Sequence, residues 1–423
     1  MLNRNSLLRA LIVGAAITST SHAFAGAFGL REQSASGQGL SFAGAASGGA
    51  GLGSMFWNPA TMTDFKGIQA SAAATFIVPY AKLTNITGSG AGYAAVNALG
   101  GTSVSGDEGM DAFLPAGYLS WQINDQLWAG LSVNAPFGLT TKPDSNWSGR
   151  SYNSLNARYS SAVPALANPA NWGVLGIDGS GSAWGFTLGA TFKPTNTTEI
   201  GIGYRSEMRV DLKGDFFGGA AAGNAAFNVP VQANLPLPQT VNLGVKQIVN
   251  DQWTVLAGLE WTNWSVLKSP AVIQRNTGTN HPLFATGLPF NYQDGWYASL
   301  GAEYKWNPEL TLRAGLGYEW SPIKDSERSV RLPDNDRLWT SLGFGYKLTE
   351  QLNIDFGYTH IFPKSTKVNI NAANSNFKAT YGAFFSNLVA DADTRIDIVS
   401  LGLTYRFDTP AKPANLPAKV VKK

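Results

Sequence analysis

Residues 199–213 read EIGIGYRSEMRVDLK, and this stretch decides the fold. Ile200, Ile202, Tyr204, Met208, Val210 and Leu212 fall on one face, with Ser206 among them. Glu199, Arg205, Glu207, Arg209, Asp211 and Lys213 fall on the other, with Gly201 and Gly203. A β-strand sends successive side chains to opposite faces, so one face of this strand suits lipid and the other a polar lumen. Residues 311–320 repeat the pattern. Leu312, Ala314, Leu316, Tyr318 and Trp320 alternate with Thr311, Arg313, Gly315, Gly317 and Glu319. In 183–192, Trp184, Phe186, Leu188, Ala190 and Phe192 oppose Gly185, Thr187, Gly189 and Thr191. Aromatic residues near the strand ends fit the interfacial girdles of a membrane barrel better than the core of a soluble sandwich.

Twelve such segments are visible, near 67–83, 110–123, 126–140, 183–193, 198–214, 237–250, 252–267, 294–306, 309–320, 336–348, 351–370 and 394–407. Many are ten or more residues long, as tilted membrane strands require. Short turns at Asn250-Asp251, Asn307-Pro308 and Thr349-Glu350 alternate with longer polar stretches at 214–236, 268–293 and 371–393. That asymmetry is the one between periplasmic turns and extracellular loops. The expected fold is therefore all-β, a transmembrane antiparallel barrel. Its last strand ends Tyr405-Arg406-Phe407, a terminal aromatic followed by a basic tail.

Four parts are expected. Residues 1–25 read as an export signal: Arg4 and Arg9, an apolar run LIVGAAI at 11–17, then Ala23-Phe24-Ala25 as a small-x-small cleavage site. The run is too short for a membrane anchor, the competing reading. Residues 26–66, rich in Gly, Ala and Ser, read as a compact plug of loops and short helices. Residues 67–407 form the barrel, and the Pro/Lys-rich 408–423 reads as disordered.

Composition narrows the function. Apolar stretches are interrupted well before the roughly 18 residues of a membrane helix. The chain has 47 glycines, 12% aromatic and 14% charged residues, and no cysteine. The absent thiols remove thiolate nucleophiles and thiolate metal sites. The formal charge of +3 resides at the ends. Arg4 and Arg9 contribute +2, and four lysines against Asp408 contribute +3, which leaves the body near −2. Such a body offers no basic field to nucleic acid. His22, His281 and His360 stand in isolated contexts, without a Ser/His/Asp arrangement or a His-x-x-x-His metal motif. Gly49-Ala50-Gly51-Leu52-Gly53 follows no βαβ unit and does not match a dinucleotide loop. The reading is a non-enzyme without cofactor or metal, with an outer-membrane lipase as the enzymatic alternative.

Specific blocks then resemble a known family. Gly26-Ala27-Phe28-Gly29-Leu30-Arg31-Glu32-Gln33-Ser34, Ser36-Gly37-Gln38-Gly39 and Ala43-Gly44 are similar to the start of the FadL family of outer-membrane long-chain fatty acid and hydrocarbon transporters. So are Asn58-Pro59-Ala60, Tyr204-Arg205-Ser206-Glu207 with Asp211-Leu212-Lys213-Gly214, and Leu332-Pro333-Asp334-Asn335-Asp336-Arg337-Leu338-Trp339. The similarity covers nearly all of 26–407. It implies a fourteen-stranded barrel with an N-terminal hatch, capture of ligand in an apolar pocket, and sideways exit at a kink in the third strand. Only twelve segments are visible here. The difference falls near 154–158, either as a lost hairpin, which keeps the strand number even, or as strands hidden in the weakly patterned 155–180.

The resemblance gives candidate residues, each with a plainer alternative. Asn134-Ala135-Pro136-Phe137-Gly138 interrupts the third strand, because proline donates nothing to a ladder and glycine weakens it. It reads as the gate, or else as a bulge at the rim. Phe28 reaches the ligand pocket or simply packs the plug. Asn58 and Pro59, with Ala60, brace the hatch against the kinked strand or form an ordinary turn. Arg205, Arg209 and Lys213 attract a carboxylate, or form a self-neutralising lumen network with Glu207 and Asp211. Arg158, beside the missing pair, is a further ligand-facing candidate.

The expected partners are a hydrophobic small molecule and outer-membrane lipid or lipopolysaccharide, and a monomer is expected. Fatty acids, aromatic or alkane hydrocarbons, and a non-transporting adhesin or structural barrel are the three functional readings.

Overall fold

A computed structural model describes residues 28–98, 100–138, 147–148, 175–218, 227–281, 287–377 and 387–408. The expected export signal (1–25), Arg158 and the tail after Asp408 lie outside these residues. The first strands are β1 (Ile68–Gly88), β2 (Ala112–Asn124), β3 (Leu127–Val133), β4 (Leu175–Ile177), β5 (Thr187–Phe192) and β6 (Thr198–Arg205). There follow β7 (Met208–Gly218), β8 (Phe227–Leu237), β9 (Thr240–Ile248), β10 (Trp253–Thr262) and β11 (Ile273–Gln274). The series closes with β12 (Gly295–Lys305), β13 (Leu310–Trp320), β14 (Arg337–Lys347), β15 (Leu352–Pro363), β16 (Thr366–Ile370) and β17 (Leu388–Arg406).

Twelve strands form one antiparallel wall in the order β3-β2-β1-β17-β15-β14-β13-β12-β10-β9-β6-β5, with β16 extending the edge of β17. First and last strands of the chain pair in register from Gln69↔Arg406 to Gly88↔Leu388, with one irregularity between Thr84 and Thr87. The wall is open between β3 and β5 among the described residues. Residues 139–146 and 149–174, which separate those strands in sequence, are outside the described set.

Alternation along the strands is as the sequence dictates. Leu300, Leu316, Leu342, Leu401 and Leu403 are each more than half exposed on the outer surface. Aromatic residues such as Trp296, Trp320 and Phe362 border this apolar belt at one end, and Trp253, Trp306 and Tyr405 at the other. A belt of that kind is stable in lipid and would be a liability in water.

Three expectations need correction. The segment 198–214 is not one strand. It breaks at Ser206-Glu207, where Ser206 N–H donates to Phe186 O (2.9 Å) and its hydroxyl accepts from Phe186 N–H (3.0 Å). The stretch 214–236, read as a loop, contains most of β8, which pairs with β7 from Met208↔Leu237 to Gly218↔Phe227. Pro230 and Pro236 hid this strand from the sequence reading, because proline argues against central strands. The two strands form a separate four-stranded sheet, ordered β11-β8-β7-β4, around buried Phe216, Val231 and Val272. Of the weakly patterned 155–180, the described Leu175–Ile177 joins that sheet rather than the wall.

Inside the wall sits the hatch. A short helix (Ala35–Gln38) is capped by the Ser34 side chain, which accepts from Gly37 N–H. Three 3-10 helices follow, at Ala45–Ser47, Gly51–Phe56 and Pro59–Asp64. Asn58 caps the last with Pro59 at its first position, an arrangement that uses the missing proline N–H without cost.

The hatch rests on glycine. Gly201↔Gly244, Gly244↔Gly258, Gly301↔Gly315 and Gly343↔Gly357 are cross-strand partners facing the lumen. A Cβ on Gly201 would lie 1.8 Å from Ala46 O, and one on Gly203 1.8 Å from Trp57 O. At Gly315 it would lie 2.1 Å from the Leu40 carbonyl carbon. At these positions the polar face of the barrel carries no side chain, and hatch backbone lies directly against strand backbone. Gly44 N–H donates to Ala257 O across this contact (3.0 Å).

This packing predicts that Gly201→Val and Gly315→Val each unseat the hatch, with a penalty of about 1–3 kcal/mol typical of overpacking. Conductance in planar bilayers should rise for both. Gly117→Val, where an added Cβ meets nothing within 4 Å, should keep the wild-type trace. Equal conductance in all three would contradict this seating.

Candidate functional site

The third strand ends where the sequence breaks it. Pairing of β3 with β2 stops at Gly117↔Val133, and Asn134–Gly138 turn to meet the hatch. Leu30 N–H donates to Pro136 O (2.8 Å) and Gly138 N–H donates to Phe28 O (2.9 Å), which sets Gly29 opposite Phe137 as an antiparallel bridge. Pro136 has no N–H of its own to give to a neighbouring strand.

Side chains reinforce this pairing. Gln33 Nε2 donates to Ala135 O (2.9 Å). Asn134 Nδ2 donates to Gln33 Oε1 (3.2 Å) and to the Tyr118 hydroxyl (2.7 Å). That hydroxyl in turn donates to Gln33 O (2.9 Å).

Where hatch and kink meet, aromatic rings gather. Phe28 packs edge-on against Trp264 (4.7 Å between centroids) and lies 6.1 Å from Phe137 and 6.3 Å from Phe290. Phe290 contacts Tyr292 (5.5 Å). Tilted and edge-to-face pairs at these separations are favourable beyond their buried area. Trp264 lies in a 3-10 turn directly after β10, and Phe290 and Tyr292 lie in the stretch 268–293. The sequence reading did not single these three out. Only the aromatic run itself could have signalled them.

Arg31 fixes the same segment to the opposite wall. Its guanidinium reaches Glu260 of β10 (2.6 Å) and Glu319 of β13 (3.0 Å) and lies over the Tyr297 ring (4.1 Å). Burial works against the charge, but the two carboxylates outweigh it and hold the Arg31 pKa above its ordinary value. Glu319 also accepts from Trp339 Nε1 (3.2 Å), and Arg337 lies 3.6 Å away, itself bonded to Asp334.

The other expected residues are distributed differently. Asn58 does not bond to the kinked strand. Its Nδ2 donates to Ala46 O (2.7 Å) within the hatch and to Ala190 O of β5 (3.0 Å). Pro59 lies beside Gly189 of β5, and Ala60 N–H donates to Asn58 Oδ1 (3.0 Å). It is Met62, one turn on, that lies beside Gly130 of β3. The reason is the absence of side chains at Gly189 and Gly203, which makes room for the Asn58 turn against β5 and β6.

The cations do not act as one set. Arg205 faces inward, over the Phe56 ring (3.8 Å), and donates to Phe56 O (2.5 Å). Arg209 lies beyond the break at Ser206, well exposed and paired with Glu207 (2.8 Å). Among the described residues Arg205 has no carboxylate within ion-pair distance, so the expected self-neutralising network accounts for Arg209 and not for Arg205. A cation that the sequence reading missed is Arg331, in the loop before β14 and close enough to Tyr292 to interact electrostatically. Burial lowers its pKa, and no described carboxylate pairs with it.

Comparison with known proteins fits this architecture. The family described as "Outer membrane protein transport protein (OMPP1/FadL/TodX)" matches residues 16–159 and 158–407. The long-chain fatty acid transport protein of Escherichia coli (strain K12) is 25% identical over 436 residues, which cover 85% of this chain and 93% of that protein. The crystal structure of a Pseudomonas aeruginosa FadL homologue superposes with a TM-score of 0.75 at 23% identity, covering 91% of this chain and 100% of the other. The Ralstonia pickettii toluene transporter TbuX gives 0.60 at 19% identity, covering 89% and 100%. A hatch-filled antiparallel wall with an apolar outer belt, matched over nearly its whole length, identifies this chain as a member of the OMPP1/FadL/TodX family of outer-membrane transport proteins.

Proposed function

We propose that this transporter carries hydrophobic compounds passively across the outer membrane, with long-chain fatty acids as the principal cargo. The cargo enters an apolar pocket beside Phe28 and leaves sideways through the wall at Asn134–Gly138. The observation that carries this reading is the direct pairing of Phe28–Leu30 with Pro136–Gly138, with an aromatic cluster at the junction. Moving the hatch end must both open the cluster and free the kink.

Apolar cargo has little reason to traverse a polar channel. Burial yields about 25 cal/mol per Å² of apolar surface, so a long acyl chain gains several kcal/mol on reaching such a cluster. The hatch lies directly against the inner face of the wall, which disfavours a straight route. A break in the wall offers the bilayer itself as the receiving phase.

Two features favour a carboxylic acid over a plain hydrocarbon. Arg331 adjoins the aromatic cluster through Tyr292, and Arg205 faces the hatch; among the described residues neither has a carboxylate within ion-pair distance, and Glu260 acts on Arg205 only from farther off. A carboxylate would complete either one through charge-assisted hydrogen bonds. Relatives described as long-chain fatty acid transport proteins agree with this choice. The hydrocarbon reading draws on the aromatic rings themselves, which suit a ring as well as a chain, and on the likeness to toluene transporters.

Cells carrying and lacking the gene should differ in uptake of labelled oleate more than of labelled toluene. Arg331→Met should lower oleate uptake at limiting concentration by about tenfold or more, the loss of a charge-assisted bond of about 1.5–3 kcal/mol, and leave toluene unaffected. A toluene effect without an oleate effect would replace the fatty acid reading with the hydrocarbon one. No effect on either, with normal outer-membrane insertion, would end the transport reading.

Filling the kink tests the exit. Pro136→Val together with Gly138→Val should reduce uptake severalfold in a normally folded barrel. Wild-type uptake by that variant would remove the lateral route.

A further inference from the structure

The hatch buries a carboxyl group that makes no ion pair among the described residues. Glu32 stands between Leu30 and Gln33, two of the residues that bond the hatch to the kink. It is completely buried, and no other described residue hydrogen-bonds to either carboxylate oxygen. Its own backbone N–H offers the carboxylate partial compensation.

The charged and titratable groups facing it are Arg31 of its own segment, Tyr297 of β12, Glu319 of β13 and Arg337 of β14. Both guanidiniums are already committed, Arg31 to Glu260 and Glu319, and Arg337 to Asp334 and Glu319. A carboxylate in this position has lost water and gained no donor from another described residue in return, so its charge is costly while its neutral form is tolerated.

We infer that Glu32 is a proton-dependent positioning residue: its neutral form holds the hatch segment against the broken third strand, and its ionised form releases that segment. Burial pushes its pKa up from 4.5 to about 7, against the opposing pull of Arg31 and Arg337. In the released segment the side chain is hydrated and titrates near its ordinary value. The docked form therefore binds the proton more tightly. Docking is strongest below about pH 4.5, weakens as pH rises, and levels off above about pH 7. The consequence for transport, faster release of cargo at neutral and alkaline pH than in acid, rests on the sideways exit proposed above.

Amide exchange at Leu30 and Gly138 reads the docking directly, because both amides bond across the junction. In the full-length protein in detergent or nanodiscs, their protection, corrected for intrinsic exchange, should fall by up to about two orders of magnitude between pH 5 and pH 8. Protection at Leu316 in the wall should not change. Glu32→Gln, a fixed neutral form, should keep the pH 5 protection throughout.

Constant protection of the wild-type amides across this range would overturn the inference even if the variant failed to fold. So would an equal fall in wild type and Glu32→Gln. Oleate uptake compared at pH 5.5 and pH 8 separates the two claims. A pH-dependent junction with pH-independent uptake upholds the role of Glu32 and counts against the lateral exit, whereas a pH-independent junction dismisses Glu32 whatever uptake does.

Discussion

The backbone of the hatch touches the backbone of the wall, and this contact governs the rest of the molecule. It requires glycine at Gly201, Gly203 and Gly315, where any side chain would occupy space already held by Ala46, Trp57 or Leu40. The barrel therefore has two faces with opposite demands. Outside, leucine and aromatic side chains must project into lipid. Inside, side chains must be missing where hatch backbone meets the wall. An apolar cargo in any case gains little from an aqueous path.

Within the hatch, the first residues divide the work. Arg31 ties the segment to β10 and β13 through a buried double ion pair that would be expensive to break singly. Phe28, Leu30 and Gln33 tie it to the residues that interrupt β3. The second attachment consists of neutral hydrogen bonds and ring contacts without an ion pair, so it is the weaker of the two. A hinge between a firm anchor and a loose end is the arrangement that a movable plug needs.

Much of this was legible in the chain. Period-two alternation in 199–213 and 311–320 fixes strands with one apolar face, and Pro136 with Gly138 marks where the third strand stops. The same alternation was also misleading at Ser206, because a strand that leaves the wall for a second sheet keeps its period. Prolines at 230 and 236 concealed β8, since its second neighbour β11 pairs only at Val231 and Gln232 and leaves both prolines outside that ladder. The glycine face was read as a polar lumen face, and its role as a docking track could not be seen without knowing which backbone lies against it. Pairing between residues about a hundred positions apart, as between Gly29 and Phe137, leaves no local trace. The same holds for the meeting of Phe28 with Trp264 and Phe290, and for the approach of Arg331 to Tyr292.

The junction of hatch and kink is best tested by locking it. Gly29 and Phe137 face each other as a non-hydrogen-bonded antiparallel pair, the kind whose Cα atoms lie about 4.5 Å apart and within reach of a disulfide. The chain has no cysteine of its own to interfere. A sideways exit controlled by this junction predicts that the oxidised Gly29→Cys/Phe137→Cys protein loses oleate uptake and regains it on reduction. Uptake at the reduced rate by the fully cross-linked protein would contradict that control.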